Sequence, residues 1–257
     1  MINYEKYRIA VLGTGHIGKT LARSLASAGH SVKVANSRGP ETIAPDVLET
    51  GAEAADAASA ASAVQDAQVV ILSIPMAKVA DIAPLIRTLP SHVIVADTSN
   101  YYPHRDGIID GFSDGQVESA WVAHLLNRPL VKAWNAIGSD SLATKGKAEG
   151  TAGRISIPVA GNIVEHKKLI MRLVSDTGFD AFDAGTVEES WRQQPGAPCY
   201  CTDLTFDEMK SAIAATEKTR LPARRDIAVQ AIQERMGDKQ SNPTADYIVR
   251  LHRALFM

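Results

Sequence analysis

The amino-acid sequence predicts an α/β fold in which a doubly wound parallel sheet is followed by a smaller, largely helical domain. Up to residue 137, short apolar runs rich in β-branched residues alternate with helix-like or alanine-rich segments. After residue 138 this alternation stops, and residues 145–154 are rich in Gly, Lys and Thr. A chain of 257 residues has room for two unequal domains, so we expect one at residues 1–138 and the second at residues 139–257.

Five apolar runs are too continuous for half-exposed antiparallel strands, which favours parallel strands buried on both faces. They are Arg8–Leu12, Ser31–Ala35 and residues 68–74, 92–96 and 130–134, with a short sixth candidate at 51–55. Between the first two runs, Ile17, Leu21 and Leu25 recur every four residues and Gly29 follows, the pattern of a helix that ends at a glycine. The alanine-rich residues 56–67 predict a second helix.

The C-terminal part of the chain is expected to begin with one strand-helix-strand unit at residues 155–160, 164–177 and 179–183. Thr205 to Glu208 form a capping-box pattern, Pro222 is expected to open the next helix, and Asn242-Pro243 the last one. These helices carry apolar stripes that predict packing in the core or against a second subunit. The stripe residues are Met209, Ile213, Val229, Ile232, Met236, Tyr247, Ile248, Leu251 and Leu255.

The charge balance excludes a global attraction for polyanions. Lys and Arg number 27 against 29 Asp and Glu, a formal net charge of −2, so neither nucleic acid nor a membrane surface is expected as a partner. No apolar run approaches the roughly 20 residues of a membrane helix. Cys199 and Cys201 are one residue apart and cannot staple a chain of this length. We therefore expect a cytoplasmic protein.

A glycine-rich motif of the form G-x-G-x-x-G follows the first predicted strand and opens the first predicted helix, the context in which the motif marks a Rossmann-type dinucleotide site. Gly13 permits a tight turn, Gly15 lets the backbone approach a pyrophosphate, and Gly18 lets the helix pack closely on the strand. The anion would meet the N–H groups of the helix N-terminus. The full motif comprises Gly13, Thr14, Gly15, His16, Ile17 and Gly18, with His16 expected near the phosphates rather than as a catalyst.

The end of the second predicted strand favours NADP over NAD. An NAD site usually places a carboxylate there, roughly 20 residues beyond the glycines, to bind the ribose 2′-hydroxyl. This chain has Asn36-Ser37-Arg38-Gly39 instead. The guanidinium of Arg38 and the hydroxyl of Ser37 suit a 2′-phosphate.

The other strand ends supply further candidates, because ligands of open α/β sheets bind beyond the carboxyl ends of the strands. Ile74 and Pro75 follow the strand at 68–74 and are expected against the ribose and nicotinamide. Asn135 follows the strand at 130–134 and is expected to hold the carboxamide or a substrate carbonyl. Ordinary turn chemistry is the alternative for each residue alone.

Two other motifs are weaker. Gly111 to Gly115 match the G-x-S-x-G pattern of a hydrolase, but the apolar run before them is too short for the required strand. The pair Cys199 and Cys201 lacks the second pair of ligands that a zinc site needs. We therefore predict neither a nucleophilic serine nor a metal site.

These motifs together resemble the family of NADPH-dependent reductases of the deazaflavin coenzyme F-420. The blocks that carry the resemblance are residues 9–18, 36–38, 70–75, 131–135, 158–162, 177–180 and 183–185. The resemblance implies NADP(H) as cofactor, coenzyme F-420 or a flavin as hydride acceptor, and a homodimer in which the second domain covers the cleft. It also implies that NADP is bound by Thr14, Gly15, His16, Ile17, Ser37 and Arg38, with Ile74, Pro75 and Asn135 around the nicotinamide and Ala160 and Gly161 near the ring-stacking cleft.

Hydride transfer between two rings needs stacking and exclusion of water, and no catalytic acid or base is predicted for it. One alternative is the reduction of a small imine or ketone, which would need a proton donor such as Tyr101, Tyr102, His104 or Asp183. Another is a non-enzymatic redox sensor that binds NADP, since a fold alone does not establish catalysis.

Overall fold

The computed structural model describes residues 5–54, 60–237 and 243–257. Its strands form one sheet of eight strands in the order β3-β2-β1-β4-β5-β6-β7-β8. Neighbouring strands are parallel except for β6 and β7, which pair antiparallel. The strands are β1 Arg8–Leu12, β2 Ser31–Ala35, β3 Glu53–Ala54, β4 Val69–Leu72, β5 Ile94–Asp97, β6 Val131–Lys132, β7 Ser156–Gly161 and β8 Asp180–Asp183.

Helices connect the strands and cover the sheet. They are α1 His16–Ser27, α2 Pro45–Glu49, α3 Ala60–Val64, α4 Val79–Thr88, α5 Pro103–Asp106, α6 Glu118–Leu126, α7 Ser139–Thr144, α8 Val164–Asp176, α9 Phe206–Ala214, α10 Leu221–Met236 and α11 Ala245–Phe256. Short 3-10 helices lie at Pro40–Thr42, Met76–Lys78, Val187–Gln193 and Lys218–Arg220. None of the helices in the described ranges is long and apolar enough to cross a membrane.

The sheet is buried on both faces, as its continuous apolar strands predict. In β1, Ile9 and Val11 belong to one apolar cluster, whereas Ala10 and Leu12 belong to another, because successive side chains of a strand point to opposite faces. Helices α1 and α8 pack over the first cluster, and α4 and α6 over the second. This arrangement confirms the predicted doubly wound α/β fold.

The predicted elements are present, with shifted boundaries. The strand expected at 68–74 is Val69–Leu72, the one at 92–96 is Ile94–Asp97, and the one at 130–134 is only Val131–Lys132. Strand β6 ends early because Trp134 has a left-handed backbone conformation, with φ of 56°, and a strand cannot continue through such a residue. Of the predicted helix at 56–67, α3 covers Ala60–Val64, and residues 56–59 lie outside the described ranges.

The C-terminal helices pack around a third apolar cluster that contains Cys199, Cys201, Met209 and Phe256. The capping box at the start of α9 is confirmed, because Glu208 Oε2 accepts from the Thr205 amide at 2.8 Å. The expected start of the last helix is wrong: α11 begins at Ala245, and the side chain of Thr244 caps it. Asn242 lies outside the described ranges. The strand-helix-strand unit β7-α8-β8 continues the main sheet, and the division at residue 138 stays a prediction.

Candidate active site

A cavity of about 590 Å³ opens at the carboxyl ends of β1, β4, β5 and β6. One wall is the loop between β1 and α1 together with the segments that follow the other three strands. The opposite wall consists of residues from the segment 195–201 and from helices α10 and α11. The cavity therefore lies between the sheet and the C-terminal helices, where ligands of open α/β sheets bind.

The glycine loop has the geometry that the motif predicts. Gly13 has φ of +104°, and a Cβ atom there would lie 2.1 Å from the carbonyl oxygen of Ser73. A Cβ atom on Gly18 would lie 1.9 Å from the carbonyl oxygen of Gly13, so these two glycines are required for the fold itself. A Cβ atom on Gly15 would meet nothing within 4 Å. Gly15 thus borders open space at the N-terminus of α1, and its contact with a pyrophosphate stays a prediction.

The loop after β2 is organised by Asn36. Its Oδ1 atom accepts from the amides of Arg38 at 2.8 Å and Gly39 at 3.0 Å, and its Nδ2 atom donates to Thr14 Oγ1 at 2.7 Å. These bonds tie the loop to the glycine loop and leave the side chains of Ser37 and Arg38 exposed to solvent. Sequence reasoning gave Asn36 no role, although an asparagine that begins a turn commonly binds backbone amides two residues on.

The expected nicotinamide residues Ile74, Pro75 and Asn135 all line the cavity. The side chain of Asn135 is fully engaged within the protein: its Nδ2 atom donates to Asn100 Oδ1 at 3.0 Å and to the carbonyl of Gln193 at 2.8 Å. Its Oδ1 atom accepts from Gln193 Nε2 at 2.8 Å. Asn135 is therefore held rigidly, and its role in binding the carboxamide stays a prediction.

Ser99 is a cavity residue that sequence reasoning missed. The residue is 4% exposed, and its Oγ atom has no hydrogen-bond partner among the described residues. A buried hydroxyl without a partner is costly, and a ligand that supplies the missing hydrogen bond would remove that cost. The polar strand end Asp97 to Asn100 was the available sequence signal.

Beneath Ser99 lies a buried charged group. Lys132 and Asp97 form an ion pair at 3.1 Å with both side chains fully buried, and Ser119 Oγ donates to Asp97 Oδ2 at 2.7 Å. The neighbouring Glu118 is 3% exposed, and burial raises its pKa to about 8. A lysine within an apolar strand was the signal in the sequence for this group.

A pair of tyrosines forms another part of the cavity wall. The hydroxyl oxygens of Tyr102 and Tyr200 lie 2.7 Å apart, and Asn100 Nδ2 donates to Tyr200 Oη at 3.2 Å. Burial raises the pKa of both tyrosines well above the usual value, so both remain protonated phenols near neutral pH. The contact between them uses one of the two phenol protons, so the pair can donate one hydrogen bond into the cavity.

Only two of the four proton-donor candidates lie at the cavity. Tyr102 and His104 line the cavity, whereas Tyr101 is buried elsewhere and donates to the carbonyl of Gly107 at 2.8 Å. Asp183 lies on β8, where it pairs with Lys167 at 2.6 Å.

Six of the expected site residues line the cavity, namely Gly15, His16, Ile17, Ile74, Pro75 and Asn135, whereas Gly13, Thr14, Gly18, Ser37, Arg38, Ala160 and Gly161 do not. Ala160 and Gly161 are buried in β7, where they pair with Lys132 and Val131 of β6. A Cβ atom on Gly161 would lie 3.2 Å from Val131 Cγ2, which shows how closely the two strands approach there. The cavity brings together Gly15, Ile74, Pro75 and Asn135. The end of β2 is tied to the glycine loop through the bond from Asn36 to Thr14 but lies outside the cavity wall, as do Ala160 and Gly161.

The two weaker motifs of the sequence are the G-x-S-x-G pattern and the pair of cysteines. The segment from Gly111 to Gly115 contains neither helix nor strand, and Trp121 Nε1 donates to the carbonyl of Gly111 at 2.8 Å. Cys199 and Cys201 are free and buried, and burial raises the pKa of the Cys199 thiol to about 12. The described residues contain no group of three or more His, Cys, Asp or Glu that could hold a metal ion.

Comparisons with known proteins agree with this architecture. The family model described as NADP oxidoreductase coenzyme F420-dependent matches residues 8–101. The protein YjhV of Escherichia coli K12 is 35% identical over 107 residues, which are 42% of this chain and 75% of that protein.

Solved structures extend the similarity over most of the chain. Protein SMa0349 from Sinorhizobium meliloti is 27% identical with a TM-score of 0.66, over 79% of this chain and 97% of that one. A protein from Arthrobacter sp. FB24, named as a candidate F420-dependent NADP-reductase, is 22% identical with a TM-score of 0.57, over 93% of this chain and 98% of that one. The second likeness is evidence of a shared fold. The family model and the relative YjhV show that the chain belongs to the coenzyme F-420-dependent NADP oxidoreductase family.

Proposed function

We propose that the protein is an NADPH-dependent reductase whose hydride acceptor is a planar ring compound, coenzyme F-420 or a flavin. The observation that carries the proposal is the continuity of one cavity from Gly15 past Ile74 and Pro75 to the Tyr102–Tyr200 pair. Such a cavity has room for a second ring beside a nicotinamide, which hydride transfer requires. Bound NADPH would supply the hydride.

The chain offers a separate contact for each part of NADP(H). The amides at the start of α1 face the open space beside Gly15 and would bind the pyrophosphate. Ser37 and Arg38 would bind the 2′-phosphate, and no carboxylate stands within residues 36–39 to repel it. Ile74 and Pro75 would support the ribose and nicotinamide, and the unpartnered hydroxyl of Ser99 could satisfy a polar group of the ligand.

The C-terminal helices would exclude water from the reacting rings. Helices α10 and α11 contribute Val229, Ile232, Ile248 and Phe256 to the wall opposite the strand ends. Apolar side chains there replace solvent around the ligand, and a site closed to water protects the transferred hydride.

A second candidate, the reduction of a small imine or ketone, is favoured by the Tyr102–Tyr200 pair. Reduction of these compounds places a proton on nitrogen or oxygen as the hydride enters carbon, and a positioned phenol can supply that proton. The third alternative, a redox sensor without catalysis, is less well supported, because the cavity continues beyond the expected nicotinamide position.

An anaerobic spectrophotometric assay of NADPH oxidation tests the proposal. The acceptors are coenzyme F-420, riboflavin, flavin mononucleotide and, for the second candidate, the cyclic imine 2-methyl-1-pyrroline. We expect oxidation with a ring compound, and its loss in Gly15→Val. Oxidation with the imine alone would favour the second candidate. Tight NADPH binding without oxidation by any acceptor would overturn the proposal in favour of the sensor.

A further inference from the structure

The part of the cavity lined by the tyrosine pair and by helices α10 and α11 is here called the inner chamber, and both arginines that line it are paired with carboxylates. The guanidinium of Arg225 bonds both carboxylate oxygens of Asp114, at 2.9 and 2.8 Å, and also Asp226 at 2.8 Å. Arg105 bonds Asp106 at 2.8 Å. Charged side chains that already have partners offer little to a charged ligand.

The other titratable residues of the wall are His104, His252 and Asp140. Burial lowers the pKa of His252 to about 4, and its Nδ1 atom lies 3.1 Å from the carbonyl of Tyr200, which only accepts. Burial and the nearby Arg105 lower the pKa of His104, so both rings are neutral near pH 7. Asp140 has no cationic partner among the described residues, but it accepts from the amide of Ala245 at 2.6 Å at the N-terminus of α11, where the helix dipole stabilises a negative charge.

One wall of the inner chamber is apolar. It combines Ile137, which follows β6, with Val229 and Ile232 of α10 and Ile248 and Phe256 of α11. Side chains of this kind bind the faces and edges of uncharged rings, and each buried apolar contact adds to affinity.

The tyrosine pair, which lines the same cavity, holds one phenol proton that has no oxygen or nitrogen acceptor among the described residues. The two phenols of Tyr102 and Tyr200 carry two protons, but the 2.7 Å contact between them uses one. Asn100 Nδ2 donates to Tyr200, so it cannot accept the second proton. Cys201 forms a side-chain hydrogen bond with Tyr200, and its sulfur is a weak acceptor that a ligand oxygen or nitrogen can replace. The unpartnered hydroxyl of Ser99 adds another buried polar group on the same cavity.

From these contacts we infer that the inner chamber binds an uncharged aromatic ring system that carries a carbonyl oxygen or an unprotonated ring nitrogen. The tyrosine pair donates a hydrogen bond to that atom, and the apolar wall takes the hydrocarbon edge of the ring. This inference rests on the proposed function and narrows its acceptor: the charged tail of any natural acceptor lies outside the chamber, and the ring nucleus alone is sufficient for binding.

Lumichrome, an uncharged three-ring flavin nucleus without a side chain, is the probe. Its fluorescence is titrated with the full chain saturated with NADP⁺. We expect saturable binding to the wild type, and binding about fivefold to tenfold weaker in Tyr102→Phe, which loses one hydrogen bond to a buried acceptor. Val229→Thr, nearly equal in volume, is expected to weaken binding by placing a hydroxyl on the apolar wall. Tyr247→Phe, outside the cavity, is the control and is expected to bind as the wild type does.

The outcomes separate this inference from the proposed function. Absence of lumichrome binding to the wild type, or equal binding by Tyr102→Phe and wild type, overturns the inference even if NADPH oxidation with a larger acceptor is observed. Lumichrome binding that Tyr102→Phe weakens, without NADPH oxidation by any acceptor, supports the chamber and overturns the proposed function.

Discussion

Lys132 Nζ lies 3.1 Å from Asp97 Oδ2, and both side chains are fully buried where β5 and β6 pair. Lys132 also donates to the carbonyl of Ser99, and Asp97 Oδ1 accepts from the Ser99 amide at 2.9 Å. The ion pair thereby fixes the backbone that forms the floor of the cavity. A charge pair in this position is a structural support for the site rather than a group that touches the ligand.

Replacing Lys132 with methionine is expected to destabilise the protein by about 3–5 kcal/mol, because it leaves the Asp97 carboxylate buried without its partner. Urea denaturation monitored by circular dichroism measures the change. Lys78→Met is the matched control, since Lys78 and Asp81 form an ion pair in which both side chains are about two-thirds exposed. If the two variants unfold at the same urea concentration, the buried pair does not support the fold as argued.

The buried Glu118 predicts a dependence of stability on pH. Burial raises its folded-state pKa from 4.5 to about 8, with the nearby Asp97 acting in the same direction and Lys132 against it. Between these two values the folded state holds a proton that the unfolded state has released. The free energy of unfolding should therefore fall as pH rises from 4.5 to about 8, by at most about 1.4 kcal/mol per pH unit.

Glu118→Gln should remove this dependence, because the amide keeps the shape of the protonated acid and does not titrate. Urea denaturation at pH 5, 6.5 and 8 compares the variant with the wild type. Glu165→Gln is the control, because the side chain of Glu165 is 78% exposed. A difference between wild type and Glu118→Gln that stays constant across the three pH values would contradict the assignment.

The fold was predictable from the sequence because its strands are apolar on both faces and its first turn carries the glycine motif. What the sequence could not show was how side chains from distant segments meet. The Tyr102–Tyr200 contact joins residues 98 positions apart, and the Lys132–Asp97 pair joins residues 35 positions apart. Ala160 and Gly161 show the same limit of sequence-based prediction. They were expected near the cleft, but the antiparallel pairing of β7 with β6 buries both of them.

Two glycines of the same motif should respond differently to alanine. At Gly15, φ is −67° and the added methyl group meets nothing within 4 Å, so Gly15→Ala should fold normally and bind NADPH more weakly. At Gly13, φ is +104° and the methyl group would collide with Ser73, so Gly13→Ala should lower stability itself. Thermal unfolding and calorimetric titration with NADPH distinguish the two effects. If Gly15→Ala and Gly15→Val both bind NADPH with normal affinity, the glycine motif is only a turn and does not bind the cofactor.

Arg38 is expected to determine the preference for NADPH. Arg38 is exposed and lies in the loop after β2 that Asn36 holds. Charge-assisted hydrogen bonds to a phosphate contribute about 1.5–3 kcal/mol. Arg38→Ala should therefore weaken NADPH binding about tenfold to a hundredfold and leave NADH binding unchanged. Calorimetric titration with both nucleotides measures this. Arg23→Ala, which alters an exposed ion pair with Asp46, is the control. Equal affinity of the wild type for NADPH and NADH would refute the assignment.

Helix α11 is expected to close the inner chamber, and we propose that the C-terminal helices also form the interface of a two-fold homodimer. Phe256 is 2% exposed in the third apolar cluster, and Arg253 Nε donates to the carbonyl of Thr202 at 2.8 Å. Deleting residues 243–257 removes these contacts and uncovers apolar surface. We expect the truncated chain to keep NADPH binding, which uses the glycine loop and Arg38. It should no longer bind lumichrome, and its mass should be that of a monomer.

Light scattering at micromolar concentration measures the mass, and the two titrations measure binding. Phe256→Ala is the companion variant, because it keeps the helix and removes one large buried side chain, which costs about 3–5 kcal/mol in a packed core. Loss of NADPH affinity in this variant would show that the C-terminal helices support the glycine loop rather than the acceptor. A monomeric wild type would refute the homodimer. Ile248 and Phe256 of α11 form part of the apolar wall, so a truncated chain with unchanged mass and unchanged lumichrome affinity would refute the role of this helix.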